Sequence, residues 1–306
     1  MKADKALSIT KRNTKPSVAA KVELELAKEA ARKPSKSVVT KPKPPAQLTL
    51  PLWAEAVRGV PNAVLRGSLF SINKIRPLAE DRELIATVEG IEIRFTGKRW
   101  NQVDLDLFEM ILHLSRLQPL GNRVEFTANA ILKALGRGTS GKHHQELMDG
   151  IHRLSNGTVE IKWLNKDDPK KSKVIGGNFI PTYARDEETG RHTVRLNTDM
   201  LAIYESGYSL IDWDQRQSLG NNSLAKWIHS FYATHAQPFP YKVETLKTLS
   251  GSEAGRLSKF REMLRSALDQ VLVTGAIESW SIDKNDLVHI VKDSKNGRGL
   301  MPVRIK

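Results

Sequence analysis

The 306-residue chain contains no cysteine, which excludes disulfides, zinc fingers and thiolate chemistry and fits a reducing compartment. No apolar run approaches the ~18 residues that a membrane-spanning helix needs. The opening residues, with Lys2, Asp4 and Lys5 and no apolar stretch behind them, do not read as a secretory signal. A metal or catalytic centre is equally hard to assemble. His143, His144 and Glu146 form neither a His-Glu-x-x-His helix nor a His-hydrophobe-His pattern, the other histidines are scattered, and no nucleophile, base and orienter come together. These absences lead us to expect a soluble, cytoplasmic, non-enzymatic protein without a cofactor and without a membrane partner.

What the chain has is positive charge. Lysine and arginine total 48 against 34 acids, a net of +14. Residues 1–45 hold twelve basic and four acidic residues, so this arm carries more than half of the excess. The arm is rich in Pro, Ser and Ala and cannot bury enough apolar surface to offset its ordering entropy, so it reads as disordered, with a fraying helix over residues 17–32. A polyanionic partner follows from the charge.

The rest reads as a degenerate repeat, and the later copy is the clearer. Leu224, Trp227, Ile228 and Phe231 recur at helical spacing behind a cap at Asn222 or Ser223, and Pro238 and Pro240 break the chain. A short helix over 243–249 stops at Gly251. A long one over 253–274 turns Leu257, Phe260, Leu264, Ala267, Leu268 and Val271 inward, and strands at 277–282 and 286–290 close on the turn Asp283-Lys284-Asn285. In the earlier copy, helices fall at 105–115, 127–135 and 140–155, and residues 157–163 stand where 275–280 stand later. Further strands are expected at 174–183 and 192–196. Three helices closed by a hairpin is the winged-helix pattern, so the expected fold is α+β with tandem winged-helix domains. The chain divides into an arm at 1–45, a linker and N-terminal extension at 46–100, a first winged helix at 101–198 and a second at 199–306.

Such a fold presents its third helix to a DNA major groove. On the earlier third helix Lys142, Gln145 and Arg153 point outward with His143 at the flank. On the later one Lys259 faces outward, flanked by Arg256, Arg261 and Arg265. These side chains are the donors that bond base edges and phosphates, although a solvated basic face has the same composition. Lys166, Lys170, Lys171 and Lys173 make a lysine-rich turn that reads as a wing tip, whereas the turn with Asp186, Glu187 and Glu188 should face away from DNA. The stretch Gly136-Arg-Gly-Thr-Ser-Gly-Lys142 nearly spells a phosphate-binding loop, but His143 replaces the magnesium-holding hydroxyl and a helix end precedes it, so a turn between helices is expected. An extended peptide with Gln47, Leu48, Leu50 and Leu52 has the pattern of a segment that docks into an apolar pocket; burial against the protein's own first helix is the alternative.

Residues 47–291 resemble the TrfA-type replication initiators of plasmids. The resemblance is carried by Leu52-Trp-Ala-Glu-Ala-Val-Arg58, Pro61-Asn62, Ser68-Leu-Phe70, the helix from Gly141-Lys-His-His-Gln145 to Leu154, Pro238-Phe-Pro-Tyr-Lys-Val-Glu-Thr-Leu246, Gly251-Ser252, Arg256-Leu-Ser-Lys-Phe-Arg-Glu262 and Asn285-Asp-Leu-Val-His289. It implies tandem winged helices on repeated double-stranded origin sequences. It further implies melting of a nearby AT-rich segment with the host initiator, which exposes single-stranded DNA, and loading of the replicative helicase. The peptide Gln47 to Leu52 would bind the sliding clamp, with Pro51 standing where the family's aromatic anchor is expected. A transcriptional regulator of the same fold is the alternative function, and a nucleotide-driven enzyme is third.

Overall fold

The computed structural model describes residues 53–116, 122–165 and 167–292. The arm, the peptide with Gln47, Leu48, Leu50 and Leu52, and the helix expected over 17–32 lie outside them. Among the described residues no helix is long and apolar enough to cross a membrane.

The first core gathers side chains from Trp53 to Trp213. Strand β1 (Val57–Pro61) leads into the one-turn helix α1 (Asn62–Leu65), then β2 (Phe70–Ser71), β3 (Leu78–Ile85), β4 (Ile91–Lys98) and β5 (Trp100–Asn101). Residues expected as linker and extension are thus structured: Val60, Phe70, Ile93, Phe95 and Trp100 are all fully buried in this core. Helix α2 (Gln102–Ser115) follows. It starts where Asn101 accepts from the Val103 amide and Asp104 returns a carboxylate to the Asn101 amide, a reciprocal cap. Strand β6 (Arg123–Thr127) precedes helix α3 (Ala128–Ala134), capped by the Thr127 hydroxyl, and helix α4 (Gly141–Asn156). Gly150 lets α4 lie against α2, since a Cβ there would come within 2.7 Å of Leu107 Cδ2.

After α4 the chain departs from the expected repeat. Strand β7 (Thr158–Trp163), equated above with the later hairpin, instead joins a sheet of order β3-β4-β7-β8, with β8 at Lys173–Gly177. The reason is apolar pairing: Val159 and Ile161 sit opposite Phe95 and Ile93 of β4. The single strand expected over 174–183 splits, because Phe179 and Ile180 turn into the core, where Phe179 stacks on Phe108 at 4.4 Å. Strand β9 (Thr182–Arg185) then forms the hairpin with β10 (Arg191–Arg195), and these two pair with β6 in the order β6-β10-β9. Strand β11 (Tyr208–Asp212) returns to β1.

The second core runs from Leu219 to Ile290 and takes in Ile72. Helix α5 (Trp213–Ser218) bridges to α6 (Ser223–Ala233), which Asn222 caps. Strand β12 (Tyr241–Lys242), helix α7 (Val243–Leu249) and helix α8 (Leu257–Val273) follow, and β13 (Ser279–Ile282) and β14 (Leu287–Val291) make the hairpin. Helix α8 begins four residues later than expected, the Glu253 amide donating instead to Asn73 Oδ1. The sheet order β12-β14-β13 repeats β6-β10-β9: the strand before the second helix, then the hairpin's second strand, then its first. The changeover between cores lies between Trp213 and Leu219, later than the expected boundary at 198/199.

Candidate nucleic-acid interface

Helices α4 and α8 occupy the same place in the two units, each buried along one side and polar along the other. On α4, Leu147, Gly150, Ile151 and Leu154 face inward, and on α8 Phe260, Leu264, Ala267, Leu268 and Val271 do so. The opposite sides carry most of the expected donors. Lys142, in the first turn of α4, and Arg256, the residue before α8, are exposed and have no side-chain partner among the described residues. Each stands where the helix presents unbonded backbone amides, which adds positive potential. Gln145 is exposed and donates to Asp149 one turn on (2.9 Å). His143 is half-buried, its Nδ1 hydrogen-bonded to the Ser140 hydroxyl at 2.9 Å. Arg265 is exposed, and Lys259 forms an open surface pair with Glu262 at 2.9 Å, which contributes little by itself. The near phosphate loop is a turn between α3 and α4 in which Gly136 has φ +66.

Two expected donors have other employment. Arg153 does not point outward: its Nε and Nη2 donate to Asp104 Oδ1 at 3.0 and 2.7 Å, and that carboxylate is fully buried. A buried carboxylate without a partner is costly, so Arg153 is committed to holding α4 on α2. Arg261 donates through Nε and Nη2 to both oxygens of Asp286 in the β13–β14 turn. That hydrogen bonding raises the Arg261 pKa and holds Asp286 below the ordinary carboxylate range.

Lys170 and Lys171 are exposed in a short 3-10 turn, Pro169–Lys171, between β7 and β8. They therefore belong to the four-stranded sheet, and the hairpin beside α4 ends instead in the acidic turn. There Asp186 accepts from the amides of Glu188 and Thr189, which lowers its pKa. One exposed residue that the sequence pattern does not single out joins the α4 side: Asn129 of α3, hydrogen-bonded to His144 Nε2 at 2.8 Å. Among the described residues no group of three or more His, Asp or Glu is placed to hold a metal ion.

The fold defines a chain of two successive three-helix units, each closed by a three-stranded antiparallel sheet. The model of the family described as TrfA protein matches residues 11–292, and the chain belongs to that family. It is similar to the plasmid replication initiator protein TrfA of Escherichia coli, at 22% identity over 243 residues covering 78% of this chain; the chain spans 62% of that protein's length. Solved structures with some likeness are domains 2 and 3 of RctB (TM-score 0.49, 14% identity, 69% of this chain and 85% of that one) and the Pi initiator protein in complex with iteron DNA (TM-score 0.43, 12% identity, 63% and 96%).

Proposed function

We propose that this chain is a non-enzymatic plasmid replication initiator that binds repeated double-stranded origin sequences and promotes opening of the origin. The observation that carries the proposal is the repeated unit within a TrfA-family chain: each copy offers a third helix with one exposed cation at its N-terminal end, Lys142 or Arg256, that has no side-chain partner among the described residues. In this reading the units are tandem winged helices. Helix α4 reads bases through Lys142, His143 and Gln145, and α8 through Arg256, Lys259 and Arg265, while Arg261 fixes the β13–β14 hairpin against α8. Two third helices in successive major grooves would lie about ten base pairs apart on one face of the duplex.

The basic arm would add sequence-blind phosphate affinity. The peptide Gln47 to Leu52 would dock on the host's sliding clamp, and the host initiator and replicative helicase would act at the opened DNA. Changing Leu48 and Leu50 to Ala should then reduce clamp capture in a pulldown while DNA binding is kept. Supporting replication of a plasmid that carries only the candidate origin tests the function directly. Binding to the repeat without replication would instead favour a transcriptional regulator of the same fold.

A further inference from the structure

Helix α2 carries three carboxylates inside the protein: Asp104, Asp106 and Glu109 are each almost completely buried. Asp104 holds Arg153 of α4 (2.7 Å) and Arg76 (3.2 Å). Asp106 holds the other unit. Its Oδ1 accepts from Arg216 Nε of α5 at 2.8 Å and its Oδ2 from Lys226 Nζ of α6 at 2.7 Å. Two residues along a helix turn through roughly 200°, so these carboxylates project to opposite sides of α2. One turn of a single helix therefore fastens the α4 side with one carboxylate and the α5–α6 side with the next.

Arg216 is wholly buried and fully engaged. Besides Asp106 it donates to Ser230 Oγ (2.7 Å), the Lys226 carbonyl (3.2 Å) and Gln102 Oε1 (3.1 Å), with Glu109 Oε2 at 3.3 Å from its Nε. Lys226 and Ser230 lie on α6, which packs directly on α8 in the second core and is tied to it by Asn222 Nδ2 donating to Gln270 Oε1. Buried ions are a poor source of stability, because apolar side chains of the same volume do as well or better. What they supply is direction: charge-assisted bonds with fixed geometry. A second seam is held without charge pairs, by Arg66 on Thr234, Trp227 Nε1 on the Gly67 carbonyl and Asn73 Nδ2 on the Gly251 carbonyl. The charges are thus not needed merely to keep the units attached.

We propose that the Asp106–Arg216–Lys226 cluster fixes the distance and twist between α4 and α8, and thereby sets which spacing of two half-sites the protein accepts. These three are positioning residues that touch no DNA, and the inference rests on the proposed reading of origin DNA by both helices. A rigid connection makes joint binding depend steeply on the geometry of the two sites, and a loose one does not. The test uses the full chain, origin repeats with roughly one to five base pairs inserted between the half-sites, and the triple variant Asp106→Leu, Arg216→Met, Lys226→Met. Wild type should prefer one spacing by about tenfold or more, and the variant should accept neighbouring spacings to within about threefold. An unchanged spacing profile in the variant would overturn the proposal, as would a wild type indifferent to spacing. Failure of wild type to bind the repeat at all would instead sink the reading beneath it. If the triple variant does not fold, Asp106→Asn with Lys226→Met, which keeps the side-chain shapes and breaks both ion pairs of Asp106, reads the same profile: flattening supports the proposal and an unchanged profile contradicts it.

Discussion

Arg261 of α8 grips Asp286 at the tip of the β13–β14 hairpin with two hydrogen bonds, at 3.0 and 2.5 Å. The pair makes the hairpin and the third helix one body, and it places an acid near the surface proposed to meet phosphates. Two roles for Arg261 then predict opposite results. If it braces the hairpin, Arg261→Ala and Asp286→Asn both weaken DNA binding, and the double variant is little worse than either single one, leaving a coupling of about 1 kcal/mol. Asn is the appropriate replacement because Asp286 has φ +60, a region Asn tolerates. If Arg261 reads DNA instead, Asp286→Asn frees it and tightens binding. We expect the first pattern in titrations of all four proteins.

Arg153 should behave as a structural residue. Removing it strips the buried Asp104 of one of its two cations, and Arg153→Ala should cost up to about 3 kcal/mol of unfolding free energy. The fraction that remains folded should bind the origin repeat with wild-type base preference. Denaturant melts alongside base-preference profiles separate this from a reader, for which stability would hold and preference would change.

Two buried groups oppose each other in pH. Burial outweighs the pull of Arg216 and raises the Glu109 carboxyl from 4.5 to about 7, and burial together with Arg216 lowers His229 from 6.5 to about 3. The Glu109 contribution to stability is present below its ordinary pKa and lost as pH rises through 7. That of His229 is present above 6.5 and lost as pH falls toward 3. Between 4.5 and 6.5 the two slopes oppose each other. Glu109→Gln removes only the first, so the variant's stability should climb more steeply with pH, and its advantage over wild type should grow by roughly 1–3 kcal/mol from acid to pH 8. A stability difference that stays constant across that range would contradict the assignment.

The lysine-rich turn and the arm should differ in their share of salt dependence. Lys170 and Lys171 lie in the β7–β8 connection of the four-stranded sheet, and not at the tip of the β9–β10 hairpin. Changing both to Ala should therefore lower the slope of log affinity against log salt by less than one, where two phosphate contacts would lower it by about two. Deleting residues 1–45 should flatten the slope clearly and leave site choice intact. Loss of selectivity on that deletion would make the arm a reader.

The helices and their buried sides are legible in the sequence because their signals are local. Phe260, Leu264 and Val271, like Leu147, Ile151 and Leu154, recur at helical spacing, and Asn222 and Thr127 cap where caps belong. The first hairpin is not legible. β7 has the alternation of any half-buried strand, and its partner β4 lies in a segment that reads as linker, so pairing by sequence order assigned it to the wrong sheet. Outward direction on a helix is likewise a statement about angle and not about partners. Arg153 and Arg261 carry the right charge, but each has a carboxylate, from α2 and from the hairpin turn, waiting for it. The inter-unit cluster leaves one trace: Asp104, Asp106 and Glu109 interrupt the apolar run of α2 without forming a polar side. Acids at that spacing must face water, meet buried cations or give up their charge, and only the fold shows which.

The most direct test of the central claim is the base preference of single variants across a randomised origin repeat. If α4 and α8 read successive half-sites, Lys142→Ala or Gln145→Ala should relax preference over one half and Arg256→Ala or Lys259→Ala over the other, each costing about 1–3 kcal/mol where the contact is to a base. If both sets altered the same few base pairs, or all four variants weakened every sequence alike, tandem reading by the two helices would be contradicted.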